Sequence, residues 1–213
     1  MQVSIKWLKD YVDIDETAEE IADRLTMAGV PVERIVRADE GLEKVITGRI
    51  EKIAPHPDSD HLLVCQLNIG KEELLQIVTG ASNVREGHIV PVAMVGSVLP
   101  DGKKISKGKL RGIPSNGMMC SAGELAIETE GLPDEQVHGI YILPADTPVG
   151  IPAAQALGSD DVVLEFELTA NRADCFSVIG IAREIAALTG KQLRFPTIEV
   201  KETAPESVAE LAH

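Results

Sequence analysis

Aromatic residues are nearly missing from this chain: one Trp, two Tyr and three Phe make up 3% of its 213 residues. A core of ordinary density must therefore be built from Val, Ile, Leu, Ala and Met. Equally scarce are the flat side chains on which strong single-strand binders stack bases. Cysteine is thin too, since Cys65, Cys120 and Cys175 are far apart, odd in number and without a CxxC pair. That pattern argues against both a disulfide framework and a zinc site. Cys65 instead alternates with Leu63, Leu67 and Ile69, the period-two signature of one buried strand face. Positive charge is in deficit, with 20 Lys and Arg against 34 Asp and Glu, a net charge of −14 and a pI near 4.7. This is the opposite of a domain that binds nucleic acid through its overall field, so any contact with phosphate has to be local. No apolar run approaches the roughly 18 residues of a membrane helix, and no apolar signal core opens the chain. A reducing cytoplasm is the expected setting, with no membrane partner. Phosphate-binding loops, a GxSxG elbow and a histidine grouped with a nucleophile are all absent from the sequence, so no catalytic residue is assigned.

What is present is concentrated between Thr79 and Leu125. The segment reads Thr79-Gly80-Ala81-Ser82-Asn83-Val84, then an apolar run from Ile89 to Val95, a lysine-rich turn, and Leu110-Arg111-Gly112-Ile113-Pro114-Ser115-Asn116-Gly117-Met118-Met119-Cys120-Ser121 leading into Glu124-Leu125. Gly80, Gly96, Gly112 and Gly117 follow or interrupt apolar runs, where a small barrel needs bends, bulges or close backbone approach. The expected fold is a five-stranded OB barrel.

Helical signals flank it. Thr17-Ala18-Glu19-Glu20 is a capping box, Ile21, Leu25 and Ala28 recur at helical spacing, and Gly29 with Pro31 ends the pattern. A shorter helix before it is expected to turn Ile5, Leu8 and Val12 inward with Trp7 beside them, and Val32 to Val36 reads as a strand. Beyond the barrel, Val162 to Leu168 reads as a strand, and Val178, Ile181, Ile185 and Leu188 form one helical face capped by Gly190. A piece of about 38 residues buries too little apolar area to fold alone. The expected architecture is therefore α+β with an all-β insert: residues 1–39 and 152–195 form one discontinuous domain, and the OB barrel, 40–151, is inserted between them. The helix from Ile21 should pack on the helix from Val178. Residues 196–213 should begin a further domain or form a mobile tail.

The barrel segment closely resembles the tRNA-binding OB module of the endothelial-monocyte-activating-polypeptide type, found also in methionyl-tRNA synthetases and the phenylalanyl-tRNA synthetase β subunit. The match extends upstream through Val45 to Ile53, His56-Pro57-Asp58-Ser59-Asp60-His61-Leu62 and Gly70. The flanks select among these. Ser4-Ile5-Lys6-Trp7-Leu8, Ala28-Gly29 and the run Leu168-Thr169-Ala170-Asn171-Arg172-Ala173-Asp174-Cys175-Phe176-Ser177 through Glu184 resemble the N-terminal region of the bacterial phenylalanyl-tRNA synthetase β subunit. The resemblance implies an N-terminal fragment of a longer chain, itself inactive, within an enzyme of two α and two β subunits. That enzyme charges tRNA(Phe) with phenylalanine, using ATP and Mg²⁺ bound elsewhere, and this piece would bind tRNA weakly and dock on the α subunit and the rest of the β subunit. DNA is not an expected partner. An autonomous tRNA-binding cofactor or chaperone, or a pure scaffold, are the alternatives.

Candidate contacts with RNA follow. Lys103, Lys104, Lys107, Lys109 and Arg111 set five cations against Asp101 alone over eleven residues, either an RNA-facing cluster or a solvated turn and edge-strand guard. Related modules use a serine and a methionine at the place of Ser115 and Met118; alternatively this stretch simply makes a tight turn and Met118 fills the barrel. Asn83, in the first half of the motif, joins the candidate set. His56 and His61 are spaced wrongly for a metal site, and the resemblance makes their segment a turn in which Asp60 and Leu62 are structural. Asn171 and Asp174 are read as helix caps, with Arg172 available to a neighbouring carboxylate.

Overall fold

The computed structural model describes residues 1–201, so the expectation for the tail from 202 onward lies outside the described residues. The chain divides into two compact units, one formed by Met1–Val36 together with the chain from Val162, the other by Arg37–Asp161.

In the first unit, β1 (Gln2–Ser4), β2 (Val32–Arg37) and β10 (Val162–Phe166) form a three-stranded sheet with β10 in the middle. Val3 pairs with Leu164, and both are buried on the face that receives the helices. Helix α2 (Ala18–Met27) starts at the expected capping box: the Thr17 hydroxyl accepts the Glu20 N–H at 3.2 Å and the Glu20 carboxylate accepts the Thr17 N–H at 2.9 Å. Its Ile21 and Leu25 share one core with Ile181 and Ile185 of α5 (Val178–Thr189), which ends at left-handed Gly190. Two helices more than 150 residues apart in sequence thereby bury stripes that neither flank could cover alone.

Three expectations need correction here. Helix α1 is a single turn, Ile5–Leu8, which buries Leu8 but leaves Trp7 54% exposed. The strand ends at Phe166, two residues short of Leu168. The cap of α5 is Ser177, whose hydroxyl accepts the Gly180 N–H at 3.0 Å, rather than Asn171 or Asp174. Asp174 instead meets Arg172, which bonds both its oxygens at 3.2 and 3.0 Å and reaches Glu184 at 2.9 Å. This fastens the loop before α5 to the helix body. The Arg172 hydrogen bond holds the Asp174 carboxyl at about 2, below its ordinary 3.8. A depressed carboxylate contributes fully above its unfolded value and is lost only as pH falls through the folded one. The bridge should therefore stay intact on acidification from pH 7 to about 4 and fail toward pH 2. Carboxyl NMR should give that low midpoint and return it to the ordinary range in Arg172→Ala; a midpoint near 3.8 in the intact protein would count against the bridge.

In the second unit, β3 (Val45–Pro55), β4 (Leu63–Asn68), β5 (Leu75–Thr79), β6 (Ile89–Met94) and β9 (Gly117–Met119) form an antiparallel sheet in the order β5-β4-β3-β6-β9. The long strand β3 gives its first half to β6 and its second to β4, with a register shift between Ile50 and Lys52. A bulge bends the strand there and curls the sheet toward a barrel. Closure between β5 and the far edge uses single bonds rather than a ladder: the Asn116 N–H reaches the Gln76 carbonyl at 2.9 Å, and the Val78 N–H reaches the Ser115 hydroxyl at 3.1 Å. Gly117 sits where an added Cβ would lie 2.8 Å from the Ala93 carbonyl, so only glycine lets β9 approach β6 this closely. The interior is aliphatic, around Ile50, Cys65, Leu67, Ile77, Val90 and Val92.

The barrel unit runs past the expected boundary at 151. Pro152 bridges to Ile46, the Thr47 N–H bonds the Ile151 carbonyl at 2.9 Å, and α4 (Ala153–Leu157) buries Ala153 and Ala154 against Val45, Ala93 and Leu99. Residues 152–161 thus belong with the barrel. A five-residue, alanine-rich helix carries too little periodicity to announce which core it joins.

Candidate nucleic-acid interface

One face of the barrel carries an open groove of about 570 Å³. Its floor is Val78 at the end of β5 with Ser115 and Met118. One wall is Lys104 to Ser106 with Gly108 and Leu110, and the other is Gly80, Ala81 and the segment His138 to Ile140, which follows the single-turn helix α3 (Asp134–Val137).

The lysine-rich loop on the first wall is ordered. The Gly96 N–H bonds the Ile105 carbonyl at 2.7 Å, the Ile105 N–H bonds Ser97 at 2.9 Å and the Leu99 N–H bonds Lys103 at 3.0 Å, while the Ile105 side chain is buried in the aliphatic cluster with Leu99. A small hairpin follows, with β7 (Gly108–Leu110) paired to β8 (Ile113–Ser115) across Arg111 and Gly112. Both turn residues have positive φ, 44° and 87°, as a two-residue type I′ turn requires. For Arg111 that left-handed backbone costs roughly 1–2 kcal/mol.

The candidate residues fare differently. Lys104 lines the groove, whereas Lys107 and Lys109 do not line it but are exposed and lie between lining residues in sequence; none of the three makes an ion pair among the described residues. Lys103 is taken by Glu124 at 2.7 Å, and Glu124 also accepts the Ser121 N–H at 2.9 Å and the Ser121 hydroxyl at 3.0 Å. Burial alone would raise the Glu124 carboxyl, but the Lys103 and Ser121 bonds outweigh it and hold it below its ordinary value. The Lys103 charge is therefore locally cancelled. Arg111 keeps its charge but donates to the Asp58 carbonyl at 2.7 Å.

Ser115 is 5% exposed, and its hydroxyl accepts the Val78 N–H and donates to the Gly117 carbonyl at 3.1 Å. Asn83 is 8% exposed; its amide donates to the Ile140 carbonyl at 2.8 Å and its oxygen accepts the Ile140 N–H at 3.0 Å. The polar atoms of both are spent inside the barrel, one closing it and the other pinning the His138 to Ile140 wall. Met118 is half-buried and packs on the cluster beneath the groove while still lining it. Sequence reasoning gave no role to Ser121, Glu124 or the His138 wall, which long-range bridges such as Ser121 to Ile140 bring here.

Elsewhere, Asp174, Cys175 and Glu184 bring three metal-ligand atoms within 4.8 Å of one another. The Arg172 guanidinium bonds all three, and burial pushes the Cys175 thiol up to about 11, so the group is a saturated ion-pair cluster rather than a cation cage. No helix among the described residues is long and apolar enough to cross a membrane.

Strand order, closure and groove define an OB-type barrel with a cationic rim. A family model described as "Putative tRNA binding domain" matches residues 45–152, just over half of the chain and every strand of the barrel, and the chain belongs to that family. Over 210 residues, 99% of this chain, it is 51% identical to the phenylalanine–tRNA ligase beta subunit of Clostridium acetobutylicum, of which the match covers 26%. Over 199 residues, 93% of this chain, it is 54% identical to the phenylalanine–tRNA ligase beta subunit of Clostridium tetani, of which the match covers 24%. The chain spans about a quarter of the length of the curated relatives it matches. Among solved structures it is similar to a MetRS related protein from Pyrococcus horikoshii, at 19% identity over 50% of this chain and 85% of that one, with a TM-score of 0.35. So low a score adds nothing to the fold read from the strand order.

Proposed function

We propose that this chain is the non-catalytic tRNA-binding and docking part of a phenylalanine–tRNA ligase β subunit. In this reading the whole enzyme joins phenylalanine to tRNA(Phe) with ATP and Mg²⁺ in the cytoplasm. The α subunit and the rest of the β subunit supply the chemistry, and this chain supplies a secondary hold on tRNA. The observation that carries the reading is that the likeness to the curated beta subunits runs through both units, over 99% of the chain, rather than stopping at the barrel. A free-standing RNA-binding module would need only the barrel.

A purely structural role is the second reading, favoured by the internal use of Asn83 and Ser115 and by the cancelled charge of Lys103. Gel shifts with tRNA(Phe) separate the two. Binding through a few cations should be visible at about 50 mM salt and largely lost at about 200 mM, because each phosphate contact releases condensed counterions. Phenylalanine-dependent ATP–pyrophosphate exchange should be absent from the chain alone. Exchange above host background would overturn the non-catalytic reading, and no shift at low salt would favour the scaffold.

A further inference from the structure

The β7–β8 hairpin forms part of one groove wall, yet nothing in its own sequence explains why it stands there. It has three residue pairs, all three β7 residues are exposed, and its turn carries an arginine in a left-handed conformation. Two-stranded ribbons of this size are marginal in water, and a non-glycine residue with positive φ persists only where its surroundings over-determine it. Its β8 strand is tied to β5, where the Gln76 side-chain amide donates to the Pro114 carbonyl at 2.7 Å and the Val78 N–H to the Ser115 hydroxyl at 3.1 Å, but what holds its β7 strand and its turn comes from the His56 to Asp60 turn after β3. His56 is 3% exposed and spends both ring nitrogens: Nδ1 accepts the Asp58 N–H at 3.1 Å, which leaves the proton on Nε2, and Nε2 donates to the Leu110 carbonyl at 3.0 Å. The second fastening is Arg111, whose guanidinium donates to the Asp58 carbonyl at 2.7 Å. Both run between the same turn and the same hairpin, and Asp58, between them, is held by the imidazole.

We propose that His56 is the positioning residue of the groove, its buried imidazole latching the β7–β8 hairpin so that Leu110, Lys109 and Arg111 are held ready for RNA. The inference rests on the tRNA-binding reading above. The imidazole suits the task because it places an acceptor and a donor on opposite sides of a rigid ring, joining two backbone segments with no solvent-exposed linkage to lose. Sequence spacing excluded this histidine as a metal ligand; its role is to carry a hydrogen-bond relay from one loop to another.

Two conservative variants divide the relay. Asparagine at 56 can keep the acceptor near the Asp58 N–H but is too short to reach Leu110, whereas glutamine can extend a donor to Leu110. The experiment uses the full chain, with amide hydrogen exchange over residues 108–113, thermal unfolding as a fold check, and tRNA(Phe) binding as a function of salt. His56→Asn and His56→Ala should keep the barrel folded, lower hairpin protection about tenfold or more, and reduce the steepness of the salt dependence by the share of Lys109 and Arg111, about 0.7 to 0.9 in log–log slope for each. His56→Gln should recover most of both. Unchanged hairpin protection in His56→Asn, or lost binding with protection intact, would overturn the proposal. If the unaltered chain binds no tRNA, the functional reading fails on its own, and exchange alone decides whether His56 holds the hairpin.

Discussion

Asn83→Ala should destabilise the barrel unit by about 2–6 kcal/mol while leaving the salt dependence of RNA binding by the folded fraction unchanged. The side chain is buried and satisfies both backbone groups of Ile140, a residue 57 positions away that is itself part of the barrel core. Truncation orphans a donor and an acceptor together, and a buried backbone group left unpaired costs about 1–3 kcal/mol. Asn83→Asp should not rescue, since a carboxylate can accept from the Ile140 N–H but would face its carbonyl. Ser115→Ala takes away the acceptor of the Val78 N–H and a donor to the Gly117 carbonyl, and should cost about 1–3 kcal/mol for each buried group it leaves unpaired. Urea unfolding followed by circular dichroism measures both. The lone Trp, Trp7, lies in the other unit, so its fluorescence should report a transition that these substitutions leave largely in place. A fully stable Asn83→Ala protein with weakened RNA binding would mean that Asn83 contacts the ligand after all.

That contrast shows what the sequence could convey. Local chemistry was legible: Thr17 and Glu20 spell a capping box, Gly190 marks the end of α5, and glycines after short apolar runs mark barrel corners. Each signal sits within a few residues of the feature it specifies. Asn83 and Ser115 carry no such local signal, because a polar residue in a motif looks the same whether it faces solvent or closes a barrel. The partners that decide the matter, Ile140 for one and Val78 for the other, are remote and become neighbours only through the sheet order. The lysine cluster was legible as a count of charges but not as a pattern of availability, since Glu124, which cancels Lys103, lies 21 residues away. In the same way α4 joins the barrel through Ile46 and Pro152, a contact that periodicity does not foretell.

The inequality among the lysines sets the last expectation. Charge reversal of Lys104, Lys107 and Lys109 together should abolish tRNA binding at low salt, whereas Lys103→Glu alone should weaken it far less. Lys104 lines the groove and the other two are next to lining residues in sequence, all exposed and none in an ion pair among the described residues, while the Lys103 charge is already opposed by Glu124 at 2.7 Å. Each cation that meets a phosphate contributes about 0.7 to 0.9 to the slope of log affinity against log salt, so losing three flattens it by about 2 to 3. The net charge of −14 opposes binding as well, over a range set by the Debye length, which is about 8 Å at physiological salt and longer at low ionic strength, so reversing the local cations leaves nothing to offset it. Lys103→Glu has a further consequence: a second carboxylate beside Glu124 should loosen the loop and lower the protection of the Leu99 and Ile105 amides, an effect on order rather than on slope. Titrations of labelled tRNA at several salt concentrations read the slopes directly. A triple variant that keeps the original slope would place the RNA contacts outside this rim.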